Sequence, residues 1–310
     1  MAPMKETETQ LNAAKQKRLG VGYGLAAFLS WGAIPFYFKA VAAVPSLEVL
    51  AHRVVWSLGF LLLLTLSRGR WTEFRALFRS RRTQLTLMLT TCLIATNWGV
   101  FIWAVAHERL VEASLGYFIT PLFNVLLGFV FLRERLRPFQ LVAVVLAAAG
   151  IAWMTVHLGQ LPLISVALAV SFGFYGLLRK QVPASGVQGL TAETLMLSPV
   201  AVAWLLWQAR QGELVFLQGN IRLDILLFAA GVITALPLIW FAEGARRLRL
   251  ATLGFLQYLA PSCQLLLAVA VFGEPFTRDH GVSFGLIWIA LGIYSIDTAW
   301  GMRRRKIQVN

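Results

Sequence analysis

Acidic residues are scarce in this chain of 310 residues: 14 Asp and Glu stand against 28 Lys and Arg, a net charge of +14. Charge of either sign is scarce too, at 14% of residues, where a soluble domain carries about 25%. Cysteine is limited to Cys92 and Cys263, both in apolar runs. That excludes a disulfide scaffold and reads as two small hydrophobes. Histidine occurs at four positions, 52, 107, 157 and 280, with no metal-ligand spacing among them. No Ser-His-Asp logic and no glycine-rich phosphate loop is evident, so neither a metal nor another cofactor is expected and enzyme chemistry has few candidate groups. A chain that is 58% hydrophobic is not disordered either.

What the sequence has is long apolar runs. A helix needs about 20 apolar residues to cross a bilayer core. Ten such spans are predicted, near 20–40, 47–66, 85–106, 111–132, 138–157, 161–178, 190–208, 224–243, 250–272 and 281–300. They leave no room for a soluble domain, only a polar tail at 1–19 and a basic tail at 301–310. The first run is too long for a signal-peptide core and Lys39 closes it, so no cleavable signal is expected. The expected fold is an all-α polytopic membrane protein.

Basic residues fall in short clusters between the runs, which suits loops on one side of a membrane better than nucleic acid. With the N-terminus inside, the inner segments hold 22 Lys and Arg, and the outer loops hold only 4: Arg109, Arg210, Arg222 and Arg278. Both termini are therefore expected in the cytoplasm.

The two halves resemble each other at an offset near 140. Ser30-Trp31-Gly32 and Lys39 match Ser171-Phe172-Gly173 and Lys180; Glu48 matches Glu193. Leu115-Gly116-Tyr117 match Leu253-Gly254-Phe255, and Pro121 and Glu134 match Pro261 and Glu274, thirteen residues apart in both halves. The repeats are placed at 20–157 and 158–300. Each holds an odd number of spans, so the second must enter from the opposite side. Inverted repeats point to alternating access, with a substrate site near the midplane. Pro121 and Pro261 are candidate helix kinks, since proline frees a carbonyl one turn back.

These residues resemble the drug/metabolite transporter superfamily, and within it the EamA-type permeases. Each half carries that pattern of proline, apolar helix, glutamate, polar residue and glycine-rich helix: Pro121, Glu134, Gln140, Gly150 and then Pro261, Glu274, His280, Gly292. The RarD (chloramphenicol-sensitive protein) family is the nearest likeness. It rests on Trp31-Gly32 to Tyr37-Phe38-Lys39, Ala51-His52-Arg53, Asn97 to Trp103, Glu112 to Ile119, Thr234 to Leu238 and Leu253 to Tyr258. The resemblance implies a bacterial inner-membrane permease, with export as its direction. It also implies that spans one to four and six to nine line a cavity, with five and ten outside as scaffold. It names no substrate beyond the family's link to chloramphenicol.

Ionisable groups inside a membrane usually face a cavity and serve function. Arg53 lies a turn and a half into the second span. It either meets a substrate carboxylate or phosphate or locks helices in a pair with Glu48 or another carboxylate. His52 shares a helical face with Glu48, as a proton-carrying pair or a polar cap. Lys39 and Lys180 either snorkel or gate the two mouths, Lys39 with Glu48 outside and Lys180 with Glu193 inside. Asn97 is mid-span and needs a partner, a helix or the substrate; Thr234 is its repeat mate. Trp31, Tyr117 and Tyr258, with Gln257, are candidate pocket lining. Glu134 and Glu274 are expected to stabilise helix N-termini, and His107, Glu108 and Arg109 to sit in a solvated loop. The function expected is transport of a small organic solute, the partners being that solute and membrane lipid. A membrane-embedded enzyme and a non-transporting sensor or scaffold are the alternatives. Oligomeric state is not legible, because lipid-facing and partner-facing surfaces read alike.

Overall fold

The computed structural model describes residues 2–107, 109–158, 163–271 and 278–307; Glu108 and Glu274 lie outside the described residues. Helices account for nearly all of them: α1 (Ala2–Ala40), α2 (Ser46–Ser67), α3 (Trp71–Leu77), α4 (Arg81–Ala106), α5 (Leu110–Leu132), α6 (Pro138–Leu158), α7 (Leu163–Gln181), α8 (Gly186–Gln211), α9 (Ile221–Arg247), α10 (Leu250–Gln257), α11 (Leu259–Ala270) and α12 (Arg278–Ile307). No strand occurs among the described residues. Nine stretches of them are long and apolar enough to cross a membrane, and Gly116–Leu132 in α5 is a shorter tenth. The protein is a polytopic all-α membrane protein. We call the end of the bundle from which both termini emerge proximal, and the other distal.

Local chemistry sets the helix ends. The Ser185 hydroxyl accepts from the Gln188 amide (3.3 Å), and the Gln188 side chain accepts from the Ser185 amide (3.2 Å). This reciprocal cap starts α8. Gly212, at φ 72°, ends it in the left-handed conformation that costs glycine nothing. Asn220 caps α9 through the amide of Leu223.

Four features differ from the sequence expectations. The polar stretch before residue 20 is helical from Ala2 onward and continuous with α1. Its Met, Lys, Glu, Gln and Ala residues are strong helix formers, with no glycine before Gly20. By the same logic α12 runs on to Ile307. The second connection folds into α3, anchored by buried Phe74 and Leu77. The Glu73 carboxylate there accepts from Arg70 (2.7 and 3.0 Å) and from the Gln188 side chain (2.8 Å). Those bonds, Arg70 foremost, hold its pKa below the ordinary value. Last, the ninth span is two helices. Pro261 cannot bond the Gln257 carbonyl one turn back, and the chain breaks at Tyr258.

Helix packing follows a simple scheme. The pairs are α1 with α9 and α11, α5 with α7 and α10, α4 with α7 and α8, α2 with α8 and α9, and α6 with α12. The scheme is unchanged when each helix of the first half is swapped for its sequence counterpart. Glycines carry the exchange to single residues. A Cβ on Gly32 would lie 2.6 Å from the Cys263 Cβ, and one on Gly173 would collide with the Phe123 ring. Gly32 and Gly173, and likewise Cys263 and Phe123, are repeat mates by offset. The main core draws on α1, α2, α4, α5 and α7 to α11, with Phe28, Tyr175 and Phe241 fully buried. A second core ties α6 and α12 to the bundle through Phe255, Tyr258 and Tyr294.

Candidate functional site

Arg53 sits where α1, α2, α4, α5 and α9 approach one another. Its Nε donates to the Thr234 hydroxyl at 2.9 Å. Its guanidinium carbon lies 5.3 Å from the centroid of the Trp98 ring and 5.7 Å from that of Phe38. The phenols of Tyr37 and Tyr117 are its electrostatic neighbours. Among the described residues no carboxylate comes within ion-pair distance. Arginine offers five N–H donors in a planar fork, and the bond to Thr234 uses one. Arg53 is only partly buried, and Tyr117, packed on Phe101 (ring centroids 6.1 Å apart), is 37% exposed. A fixed cation walled by ring faces can hold an anion through the fork, and the rings stabilise the cation meanwhile.

Of the six side chains expected to line a pocket, the structure brings together Arg53 and Tyr117. The other four are engaged elsewhere. Asn97 donates to the Leu168 carbonyl and the Ser171 hydroxyl, both at 3.0 Å, and so binds α4 to α7. Gln257 accepts from Asn124 (3.0 Å), which joins α10 to α5. Trp31 packs, tilted or edge-on, among Phe28, Phe172 and Phe241. Tyr258 is fully buried at the break between α10 and α11, and its hydroxyl has no partner among the described residues. Sequence reasoning missed Phe38, Trp98 and Thr234 as neighbours of Arg53, though each lies in a polar or aromatic segment already singled out. Helical spacing tells which residues share a face, not which face of another helix it meets.

At the distal end two carboxylates hold the α8–α9 connection. Fully buried Glu48 accepts from the amides of Val215 (3.0 Å) and Phe216 (3.0 Å). Asp224 accepts from the amide of Leu217 (2.8 Å). Glu48 is thus occupied by backbone of the α8–α9 connection. Arg53 is not its partner; Lys39 is exposed at the end of α1 and has contacts of its own. His52 Nδ1 accepts from the Trp56 indole (3.0 Å). That fixes the neutral tautomer with its proton on Nε2, which faces Glu48 at 3.8 Å and has no hydrogen-bond partner. Phe216 packs on the imidazole, 4.6 Å between centroids.

At the proximal end the expected pair of Lys180 with Glu193 does not form. Lys180 reaches the carbonyls of Ala245 (2.9 Å) and Leu248 and closes the end of α9. Buried Glu193 accepts from Thr90 (2.7 Å) and Tyr175 (3.1 Å), and the Arg179 Nε lies 3.7 Å away. Arg179, one residue before the lysine, is therefore the cation that meets Glu193. It is completely buried, against the glycine face of α8, where a Cβ on Gly189 would strike its guanidinium. Glu134 accepts from the amides of Leu250 (2.8 Å) and Ala251 (3.1 Å). It caps the start of α10, a helix of the other half, rather than the helix that follows it. Pro121 stays within a continuous α5. Among the described residues no three His, Cys, Asp or Glu side chains converge.

Comparison with known proteins adds lineage to this geometry. The EamA-like transporter family matches residues 18–156. An uncharacterised transporter of Vibrio cholerae is 45% identical over 90% of this chain and 92% of its own length. Protein RarD of Salmonella typhi is 44% identical over 94% of this chain and 99% of its own. A solved crystal structure matches with a TM-score of 0.68, covering 89% of this chain and 97% of that one, at 19% identity; that likeness concerns the fold alone.

Proposed function

This chain belongs to the EamA-like transporter family, with RarD proteins among its relatives, and we propose that it carries a small organic anion or zwitterion across the bacterial inner membrane by alternating access. The observation that carries the substrate charge is Arg53. A cation at membrane depth is costly, and this one meets ring faces and a hydroxyl but no described carboxylate. A substrate carboxylate or phosphate would complete it, and the aromatic wall would favour an aromatic or amphipathic body. Export is the direction that the RarD likeness supports.

The packing scheme supports two inverted five-helix repeats, at 20–157 and 158–300, with both tails in the cytoplasm as the charge asymmetry implies. Each repeat can adopt the other's conformation, which gives two states of similar energy. We assign the closed mouth to the distal end, where Glu48 and Asp224 hold residues 215–217, and assign proton coupling to the His52–Glu48 pair. Glu193 with Arg179, and Lys180 at the end of α9, are assigned to the opposite gate. The molecule acts by moving a solute, not by converting it.

A thermal-shift panel of anionic, zwitterionic and cationic solutes, with chloramphenicol, tests the substrate class on wild type and Arg53→Ala. Stabilisation by an anion or zwitterion is expected and is lost in the variant. Stabilisation by cations regardless of Arg53 overturns the anion reading and recasts Arg53 as a helix lock.

A further inference from the structure

A cleft of about 410 Å³ opens at the proximal end between α1, α2, α9 and the start of α8. It is separate from the Arg53 site. From Arg53 to Leu64 in its wall is eleven residues of α2, or about 16 Å at a helical rise. Four arginines line it, Arg68, Arg70, Arg246 and Arg247, with Glu243 as its carboxylate. Two of the four are already balanced. Arg70 holds Glu73 at 2.7 Å. Arg247 pairs with Glu243, bonds Gln16 at 3.1 Å and lies 5.2 Å over the Tyr23 ring. Arg246 shares the same Glu243 at 3.6 Å, and that carboxylate also accepts from the Gly186 amide. The Arg68 guanidinium has no partner among the described residues. The unbalanced charge sits on Arg68 and Arg246, both exposed, and the concave wall focuses its field. Deeper in, Leu236, Ile239 and Trp240 supply an apolar surface.

We propose that this cleft is a second anion site, which takes a phosphate or carboxylate on an apolar body. The charged group meets Arg68 and Arg246, and the body lies along Leu236, Ile239 and Trp240. Arg247 is held in place by Glu243, Gln16 and Tyr23 and builds the wall. A soluble solute waiting to move to Arg53 and an anionic lipid headgroup both offer this chemistry. The role of waiting site rests on the anion-permease reading; the binding itself does not.

Calorimetric titration of the full chain in non-ionic detergent tests this, with phenyl phosphate as the soluble probe and dihexanoyl phosphatidylglycerol as the lipid probe. The titrations use wild type, Arg53→Ala alone, and Arg53→Ala combined with Arg68→Ala and Arg246→Ala. Phenyl phosphate is expected to bind the single variant and to bind the combined variant at least tenfold more weakly. Replacing the two cleft arginines by lysine instead is expected to restore most of the affinity, which excludes a folding defect. If only the lipid shows that dependence, the site stands and its anion is a headgroup. Probes that bind neither variant, or bind both variants alike, overturn the site. If wild type alone binds, the only anion site is at Arg53, and the substrate reading survives without this one.

Discussion

Two acids in this protein serve the backbone of another element. Glu48 holds residues 215 and 216, and Glu134 holds residues 250 and 251. Such charge-assisted bonds are about twice as strong as neutral ones, and they join segments more than a hundred residues apart. Glu193 differs, since its partners are all side chains. At the distal end the imidazole of His52 turns an unpartnered Nε2 toward buried Glu48. If this pair couples protons to transport, uptake into vesicles driven by an imposed pH gradient is abolished in His52→Gln, while counterflow exchange of the same solute persists. Equal loss of both in this variant would mark His52 as structural. The positions of Arg53, His52 and Glu48 as exceptional residues are legible in the sequence, because charge in an apolar run is conspicuous. Their partners are not.

Among the helices, the close approaches decide what can change. α1 meets α11 at Gly32, and α7 meets α5 at Gly173. A methyl group forced into a packed contact costs about 1–3 kcal/mol. Gly32→Ala meets the Cβ of Cys263, which cannot swing away, whereas Gly173→Ala meets a phenyl ring. Gly173→Ala is therefore expected to lower the thermal midpoint and to be largely rescued by Phe123→Leu. Gly32→Ala is not expected to be rescued by Phe123→Leu. Melting curves of the two singles and the two doubles check this, and equal effects of Phe123→Leu in both backgrounds would refute the contact. Span positions follow from hydropathy alone, to within a few residues for most helices. The break at Tyr258 was flagged by Pro261 but not located by it, since Pro121 has the same place in its repeat and leaves α5 continuous.

For the whole molecule, an even number of crossings puts both termini on one side, and the arginine-rich connections lie at that same end. A reporter that fluoresces only in the cytoplasm is expected to be active when fused after Asn310 and dark when inserted between Gly212 and Asn220. The reverse pattern would invert the topology and put the proximal end, with its arginine cleft, outside the cell.

Length, hydropathy and charge asymmetry determined the all-helical membrane fold, its ten crossings and its expected orientation. Each of these is a transfer of a segment between water and hydrocarbon, judged one segment at a time. The ordered matches between the halves added the family. What tertiary structure alone decided is which faces meet. It gave Arg53 to Thr234 and Trp98 rather than to Glu48, and Asn97 to α7 rather than to a ligand. It gave Glu193 to Arg179 rather than to Lys180. Helical periodicity places a side chain on a face to within a fraction of a turn. The face it meets is set by the register and rotation of a helix far away in sequence, which shape-matching contacts such as Gly32 on Cys263 and Gly173 on Phe123 fix only once the bundle has formed.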